Sequence, residues 1–325
     1  MGLVLIDILL LLVGFVLLTL GARYLVKGAM ELAYLYHLPE ILIGMTVLAL
    51  GTSLPELTVC LVSNYRGYSD MVFSTLIGAN IFSLYAIVGL VGLIFPFYLS
   101  NTVIFREIPL MVLVTIIVII ITNDQFVFDA SNNLITKGEG GILLFCFLLF
   151  LLMIFFNLKK SGFTRIEFNK KEHTTKKWQI AIWLSGGAVA TAFGGDLIVD
   201  EASKLIKHFE ITQRFFGITV IAFFTSLPEL ATSAVAVYKR KPSLAFGNVM
   251  GSTIFNFLFI LGLSALVNPL RFNKGFNFDL NFFLFGTILL FVGMFSGKMK
   301  KLDRWQSFFF LLFFIAYLYF VWVRI

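Results

Sequence analysis

The stretch "TSLPEL" at residues 52–57 returns letter for letter at 225–230, both times inside a long apolar run. Each copy sets a helix breaker beside a charge. Proline at 55 cannot donate to the carbonyl of residue 51 and its ring pushes that carbonyl aside; Pro228 does the same to residue 224. Backbone groups freed in an apolar setting need another partner, and a bound cation is one. Glu56 and Glu229 follow the prolines directly. An ionised carboxylate near the centre of a bilayer costs several kcal/mol unless something compensates it. Thr52 and Ser53, like Thr225 and Ser226, precede their glutamate by three or four residues and so share its helical face.

The surroundings of the two motifs are those of a membrane protein. Hydrophobic residues make up 59% of the 325 and charged residues only 13%, with 39 phenylalanines and a mean hydropathy of +0.95. A soluble domain needs about 25% charged residues to cover itself. Apolar stretches of bilayer length recur from end to end. The fold class expected is an all-α integral membrane protein with ten transmembrane helices, roughly 3–26, 41–64, 70–97, 104–122, 140–158, 178–205, 214–238, 243–268, 277–296 and 305–323. The first is too long in its apolar part, and lacks the basic lead, for a cleavable signal. The longest polar connection, 159–177, leaves no room for a second, soluble domain.

The chain is one unit written twice. Displaced by 173 residues, 44–90 aligns with 217–263 without a gap, and 19 of the 47 positions are identical. Gly44 meets Gly217, Gly78 meets Gly251, and Gly89 meets Gly262. The expected division is a first five-helix repeat at 1–158, a basic loop at 159–177, and a second five-helix repeat at 178–325. Five is odd, so the second copy crosses the membrane in the opposite sense. Arg23 and Lys27 in the first helix correspond to Asp196 and Asp200 in the second half: the same position has exchanged its sign. Inverted-topology repeats of this kind are characteristic of secondary transporters, whose site lies where the halves meet.

The formal charge of +7 is a topology signal rather than a nucleic-acid footprint. Its clusters are Lys159, Lys160, Arg165, Lys170, Lys171, Lys176 and Lys177; then Lys239, Arg240 and Lys241; then Lys298, Lys300, Lys301 and Arg304. All follow odd-numbered spans, which makes that side cytoplasmic, both termini extracytoplasmic, and the plasma membrane with its anionic lipid the expected location. Cys60 and Cys146 read as packed hydrophobes, and His37, His173 and His208 as solvated residues at loops or helix ends.

Each TSLPEL copy offers a carboxylate, hydroxyls and loosened carbonyls, without sulfur or imidazole. All-oxygen ligation suits hard cations, Ca²⁺ or Na⁺. Downstream, "GANIFS" (78–83) and "GSTIFN" (251–256) place Ser83 and Asn256 at equivalent positions, with Ser252 equivalent to Ala79. Ser83, Ser252 and Asn256 complete an oxygen cage on one reading and tie helices together by hydrogen bonds on the other.

These residues resemble the cation/calcium exchanger family, of which the sodium/calcium exchangers are one branch. Its repeats carry G-T-S-x-P-E and, about 20 residues later, G-S-x-x-x-N or D; here the pattern reads "GTSLPEL…GANIFS" and "FTSLPEL…GSTIFN". The resemblance embraces almost the whole chain, and the short central loop is similar to that of prokaryotic members. It implies a secondary-active antiporter that exchanges Ca²⁺ for Na⁺ by alternating access. Glu56 and Glu229 would bind the ions, with Thr52, Thr225, Ser53 and Ser226 adding hydroxyl or backbone oxygens. It also implies that the first and sixth spans slide or rock past a fixed ion-binding core. No enzyme activity, permanently bound cofactor or nucleic-acid partner is expected; the partners are the transported ions and the bilayer. Phe224 departs from the family's glycine, Ala79 from its serine and Ser83 from its asparagine, while Asn256 sits where some members have aspartate. These departures thin the cage and keep open a proton-coupled exchanger of Ca²⁺ or another divalent ion, and a family member that binds without transporting. An intramembrane aspartyl protease would need paired aspartates where this chain has glutamates, and a passive channel would need no counter-ion.

Overall fold

The computed structural model describes residues 2–35, 49–99, 101, 103–124, 132–160, 176–238, 242–296 and 300–324. Its helices are α1 (Gly2–Leu35), α2 (Ala49–Thr52), α3 (Leu54–Tyr65), α4 (Ser69–Ile94), α5 (Val103–Thr122), α6 (Lys137–Lys160), α7 (Lys177–His208), α8 (Gln213–Thr225) and α9 (Leu227–Tyr238). They continue as α10, built from Pro242–Ile254, Phe255–Ile260 and Leu261–Val267, then α11 (Asn277–Gly293) and α12 (Arg304–Val323). Among the described residues, 8 helices are long and apolar enough to cross a membrane, or 9 with the bent pair α8–α9 taken as one span. Of the span expected at 41–64, the residues before 49 lie outside the described ones; so do His37, His173, 239–241 and most of the loop 159–177.

The 173-residue displacement found in the letters holds for the elements. The short helix Ala49–Thr52 maps onto Ala222–Thr225, and α3 onto α9. Within α4, the segments Ser69–Ile81, Phe82–Ile87 and Val88–Ile94 map onto the three segments of α10 to the residue. The middle segment of each is a π-helical turn. Such turns insert one residue into the helical ladder and are found mostly where function needs a side chain re-aimed. Two short antiparallel ribbons follow the same plan. β1 (Phe97–Tyr98) pairs with β4 (Lys301–Leu302), and β2 (Leu134–Ile135) with β3 (Leu270–Arg271).

Apolar helices in lipid pack by close contact rather than by hydrophobic exclusion, so small residues decide where they meet. α1 and α7 run antiparallel along a seam of glycines: Gly14 faces Gly194, Gly21 faces Gly187, and Gly28 faces Leu184. A Cβ at Gly21 would stand 2.5 Å from the Thr191 backbone nitrogen, and one at Gly194 2.6 Å from that of Leu18. Gly89 on α4 rests against Leu311 on α12, and its counterpart Gly262 on α10 against the Gly140 carbonyl on α6. Each half's central helix thus packs on the last helix of the other half. In α4 and α10, 83% and 78% of the apolar window is buried, against 11% for α6, so these two helices form the middle of the bundle.

The first helix is longer than expected: it passes residue 26 and ends at Leu35. Charges at Arg23 and Lys27 end the apolar run without ending the helix. Lys27 lays its Nζ 3.9 Å from the centre of the Trp183 ring on α7, so its stem stays packed while its charge is compensated. Cys60 is fully buried and Cys146 half-buried, both as free thiols, and His208 is exposed at the end of α7.

Candidate cation site

Both prolines break their helices at the serine of the motif. Ser53 separates α2 from α3, and Ser226 separates α8 from α9, where the axis bends by 44°. In each copy the helix resumes at the next residue, with Leu57 and Leu230 donating back to the Ser53 and Ser226 carbonyls at 3.0 Å. The break brings the glutamate to the first turn of the resumed helix, where the amide dipoles favour negative charge.

Nine residues are expected at the site from sequence: Glu56, Glu229, Thr52, Thr225, Ser53, Ser226, Ser83, Ser252 and Asn256. All are buried, Glu56 at 0% and Glu229 at 1% exposure. The halves interlock reciprocally. The Ser53 hydroxyl donates to Glu229 Oε1 at 3.4 Å, and its counterpart Ser226 donates to Glu56 Oε1 at 3.2 Å. The two carboxylates are close enough to act on one another electrostatically. Ser83, carried into the site by the π-helical turn of α4, donates to Glu229 Oε2 at 2.6 Å.

Two further hydroxyls stand beside the carboxylates with their protons engaged elsewhere. Thr225 lies next to Glu56 and donates to the Ile221 carbonyl at 3.0 Å. Ser252 lies next to Glu229 and donates to the Val249 carbonyl at 3.1 Å. A hydroxyl whose proton is held by the backbone keeps its lone pairs for a cation.

Asn256 bonds to an amide rather than to a carboxylate. Its Nδ2 donates to Asn80 Oδ1 at 2.9 Å, which ties α10 to α4. Asn80, fully buried, is the residue sequence reasoning passed over. Its signal was available: its counterpart across the 173-residue displacement is Thr253, also polar and fully buried. Glu56 Oε2, Asn256 Oδ1, Asn80 Nδ2 and Thr253 Oγ1 have no hydrogen-bond partner among the described residues.

Buried polar atoms are almost always paired, so a carboxylate oxygen left without a partner beside a second carboxylate needs an explanation. A hard cation supplies one, since two desolvated carboxylates side by side lack only a positive charge. The donor set contains no thiolate or imidazole, and no group of three or more His, Cys, Asp or Glu suited to a metal occurs among the described residues.

One end of the same bundle carries an ion-pair cluster. Arg66, in the turn between α3 and α4, reaches both Asp196 and Asp200 on α7. On the same helix, Lys204 meets the buried Glu201 at 2.8 Å.

A polytopic helical membrane protein with a buried, all-oxygen site shared by two repeated motifs is a transporter of small cations in its construction. The sequence profile described as "Sodium/calcium exchanger protein" matches residues 6–156 and 180–323, and the chain belongs to that family. It is a multi-pass membrane antiporter of the cation/Ca²⁺ exchange type. The chain is 34% identical over 266 residues to the inner membrane protein YrbG of Escherichia coli, a match covering 80% of this chain and 79% of YrbG. It is 25% identical over 350 residues to the sodium/calcium exchanger MaX1 of Methanosarcina acetivorans, covering 96% of this chain and 97% of that one. The solved structure of the sodium-calcium exchanger NCX_Mj soaked with 10 mM Na⁺ and zero Ca²⁺ superimposes with a TM-score of 0.64 at 27% identity, covering 96% and 98% of the two chains.

Proposed function

We propose that this chain exchanges Ca²⁺ for Na⁺ across the plasma membrane by alternating access, with Glu56 and Glu229 as the charged ion ligands. The observation that carries the reading is the reciprocal pair, Ser53 to Glu229 and Ser226 to Glu56, in which each half's hydroxyl serves the other half's carboxylate. On this reading the buried Thr52, Thr225, Ser83, Ser252 and Asn256 add neutral oxygens to the two carboxylates. The similarity to MaX1 and NCX_Mj, both named for sodium and calcium, supports the choice of ions. On this reading the chain has ten spans as two inverted five-helix repeats, both termini outside and the loop 159–177 in the cytoplasm.

Obligatory exchange follows from charge. An emptied pair of ionised glutamates would carry −2 through the bilayer, at a cost that forbids crossing. One Ca²⁺ or two monovalent ions remove that charge, so the loaded protein switches sides and the empty one does not. On the same proposal α1 and α7, packed closely along their glycine seam, move together against the core that holds the site.

The test is ⁴⁵Ca²⁺ uptake into Na⁺-loaded proteoliposomes diluted into Na⁺-free buffer, beside a matched set driven by a pH gradient. Na⁺-driven uptake is expected. It should fall to the level of protein-free vesicles in Glu56→Gln and in Glu229→Gln; near-normal exchange in either variant would overturn the ligand assignment. Uptake driven by the pH gradient alone would make the coupling ion a proton.

A further inference from the structure

Between the end of α11 and the start of α12 lies a groove that the cation site does not use, with a volume of about 280 Å³ and an almost wholly apolar lining. Leu290, Leu302 and Phe310 are buried and form its floor, while Val292, Trp305 and Phe309 are about half exposed and form its rim. From Trp305 to Phe313 it follows α12 for about 12 Å. Both helices are long and apolar enough to cross a membrane, so the rim opens on hydrocarbon rather than on water. Trp305, the second residue of α12, sits where tryptophan marks the boundary between hydrocarbon and headgroups.

The mouth of this groove is positively charged. Lys300, Lys301 and Arg304 are chain neighbours of the lining residues Leu302 and Trp305. Lys301 is compensated by Asp303 at 2.7 Å. Lys300 and Arg304 have no acidic partner among the described residues. Lys300 holds a φ of 64°, which a lysine rarely adopts. Two backbone bonds keep it there: its amide donates to the carbonyl of Met294, a lining residue, at 2.8 Å, and its carbonyl accepts from the Leu99 amide at 2.8 Å. Lys300 is thereby fixed at the end of the groove. The corresponding connection in the first half, 123–136, has Asp124 and Asp129 and no lysine or arginine, so the charge belongs to one face of the membrane.

An apolar slot open to the bilayer accepts a hydrocarbon chain, and two uncompensated cations at headgroup level accept a phosphate. A zwitterionic lipid would bring a cation of its own to the same place; an anionic lipid would not. We infer that the groove is a binding site for one anionic phospholipid, with an acyl chain lying along α12 and the phosphate resting on Lys300 and Arg304. On the topology proposed above this is the cytoplasmic leaflet. The site abuts the ribbon of Phe97–Tyr98 with Lys301–Leu302, which joins the first half of the chain to the second.

Trp305 reports from the groove itself. Full-length protein is reconstituted in dioleoylphosphatidylcholine with a rising share of dibrominated phosphatidylglycerol, whose chain quenches tryptophan on contact, beside a matched series with dibrominated phosphatidylcholine. The emission of Trp305 is the difference between the wild type and Trp305→Phe. Each basic residue near the surface favours an anionic lipid by about fivefold, so two give about 25-fold. Half-quenching is then expected near one phosphatidylglycerol per about 25 phosphatidylcholines, against about one to one for the reference lipid. Lys300→Gln combined with Arg304→Gln should bring the two curves together. Gly293→Leu, which extends a side chain from the groove lining, should make quenching shallower with both lipids. Coincident curves in the wild type overturn the proposal, as does a preference for phosphatidylglycerol that outlasts the double substitution. Quenching in Gly293→Leu as deep as in the wild type would place the chain outside the groove and overturn it too. The double substitution changes only side-chain tips at the groove mouth and decides alone should Gly293→Leu fail to fold.

Discussion

Pro55 and Pro228 act through what they withhold. Each ends a helix at the serine before the Leu-Pro pair, and the serine at the break then reaches across to the opposite glutamate. Ser83 differs from the other site hydroxyls: it comes from a π-helical turn and makes the shortest contact to a site carboxylate, 2.6 Å to Glu229. A hydrogen bond to a charged group contributes about 1.5–3 kcal/mol, roughly 10- to 100-fold in an equilibrium constant. Ser83→Ala is therefore expected to weaken the apparent affinity for Ca²⁺ by about tenfold or more, with little change in thermal stability. Saturation curves of ⁴⁵Ca²⁺ exchange check this, and an unchanged half-saturation would make Ser83 a packing residue. Phe224 has a different task from the glycine at its equivalent position. Gly51 admits Val26 of α1 against its backbone, whereas Phe224 stacks on Phe15 of α1 with ring centres 4.5 Å apart. Both contacts join the motif to the same helix.

Packing between elements rests on which glycine faces which backbone. Gly186 and Gly187 are neighbours on α7 with the same intrinsic helical preference. A Cβ at Gly186 meets nothing within 4 Å, while one at Gly187 would stand 2.6 Å from the Leu25 backbone nitrogen on α1. Gly186→Ala is expected to leave stability unchanged or slightly raised, and Gly187→Ala to cost about 1–3 kcal/mol through forced separation of α1 and α7. Melting of the two variants in detergent, followed by size-exclusion chromatography, decides; equal midpoints would contradict the seam. The sequence made much of this architecture readable, because a repeat of 173 residues survives in the glycines, the prolines and the glutamates. It did not show the π-helical turns, which leave no periodic trace: "IFSLYAI" reads as ordinary apolar helix. Nor did it show where α1 ends, since a hydropathy argument stops at Arg23 and Lys27 and cannot see Trp183 waiting on another helix. Asn80 escaped for a related reason. An amide between an alanine and an isoleucine reads as packing until the chain is folded and Asn256 stands 2.9 Å away.

Across the whole molecule, the charged ends of the helices decide how the two halves rest against one another. Arg66 joins the turn between α3 and α4 to Asp196 and Asp200 on α7, and so ties an element of the first half to one of the second. The acids are about half exposed, and each such pair is worth about 0.2–1 kcal/mol, less at high salt. Arg66→Gln is expected to speed hydrogen–deuterium exchange along 196–208 by up to about fivefold per pair lost, and to remove its dependence on ionic strength. Unchanged exchange would show that the pair holds nothing in place.

That ion pair has no mirror image. Displaced by 173 residues, Arg66 becomes Lys239, while Asp196 and Asp200 become Arg23 and Lys27. If the halves trade shapes as ions are passed across, one end state brings a cation to two anions and the other brings a cation to two cations. On the proposed alternating-access reading, the cycle is then a door with a bolt on one side and a spring on the other. Its two sides offer different waiting times to the ions that arrive there, even though the site between them is built from matching halves.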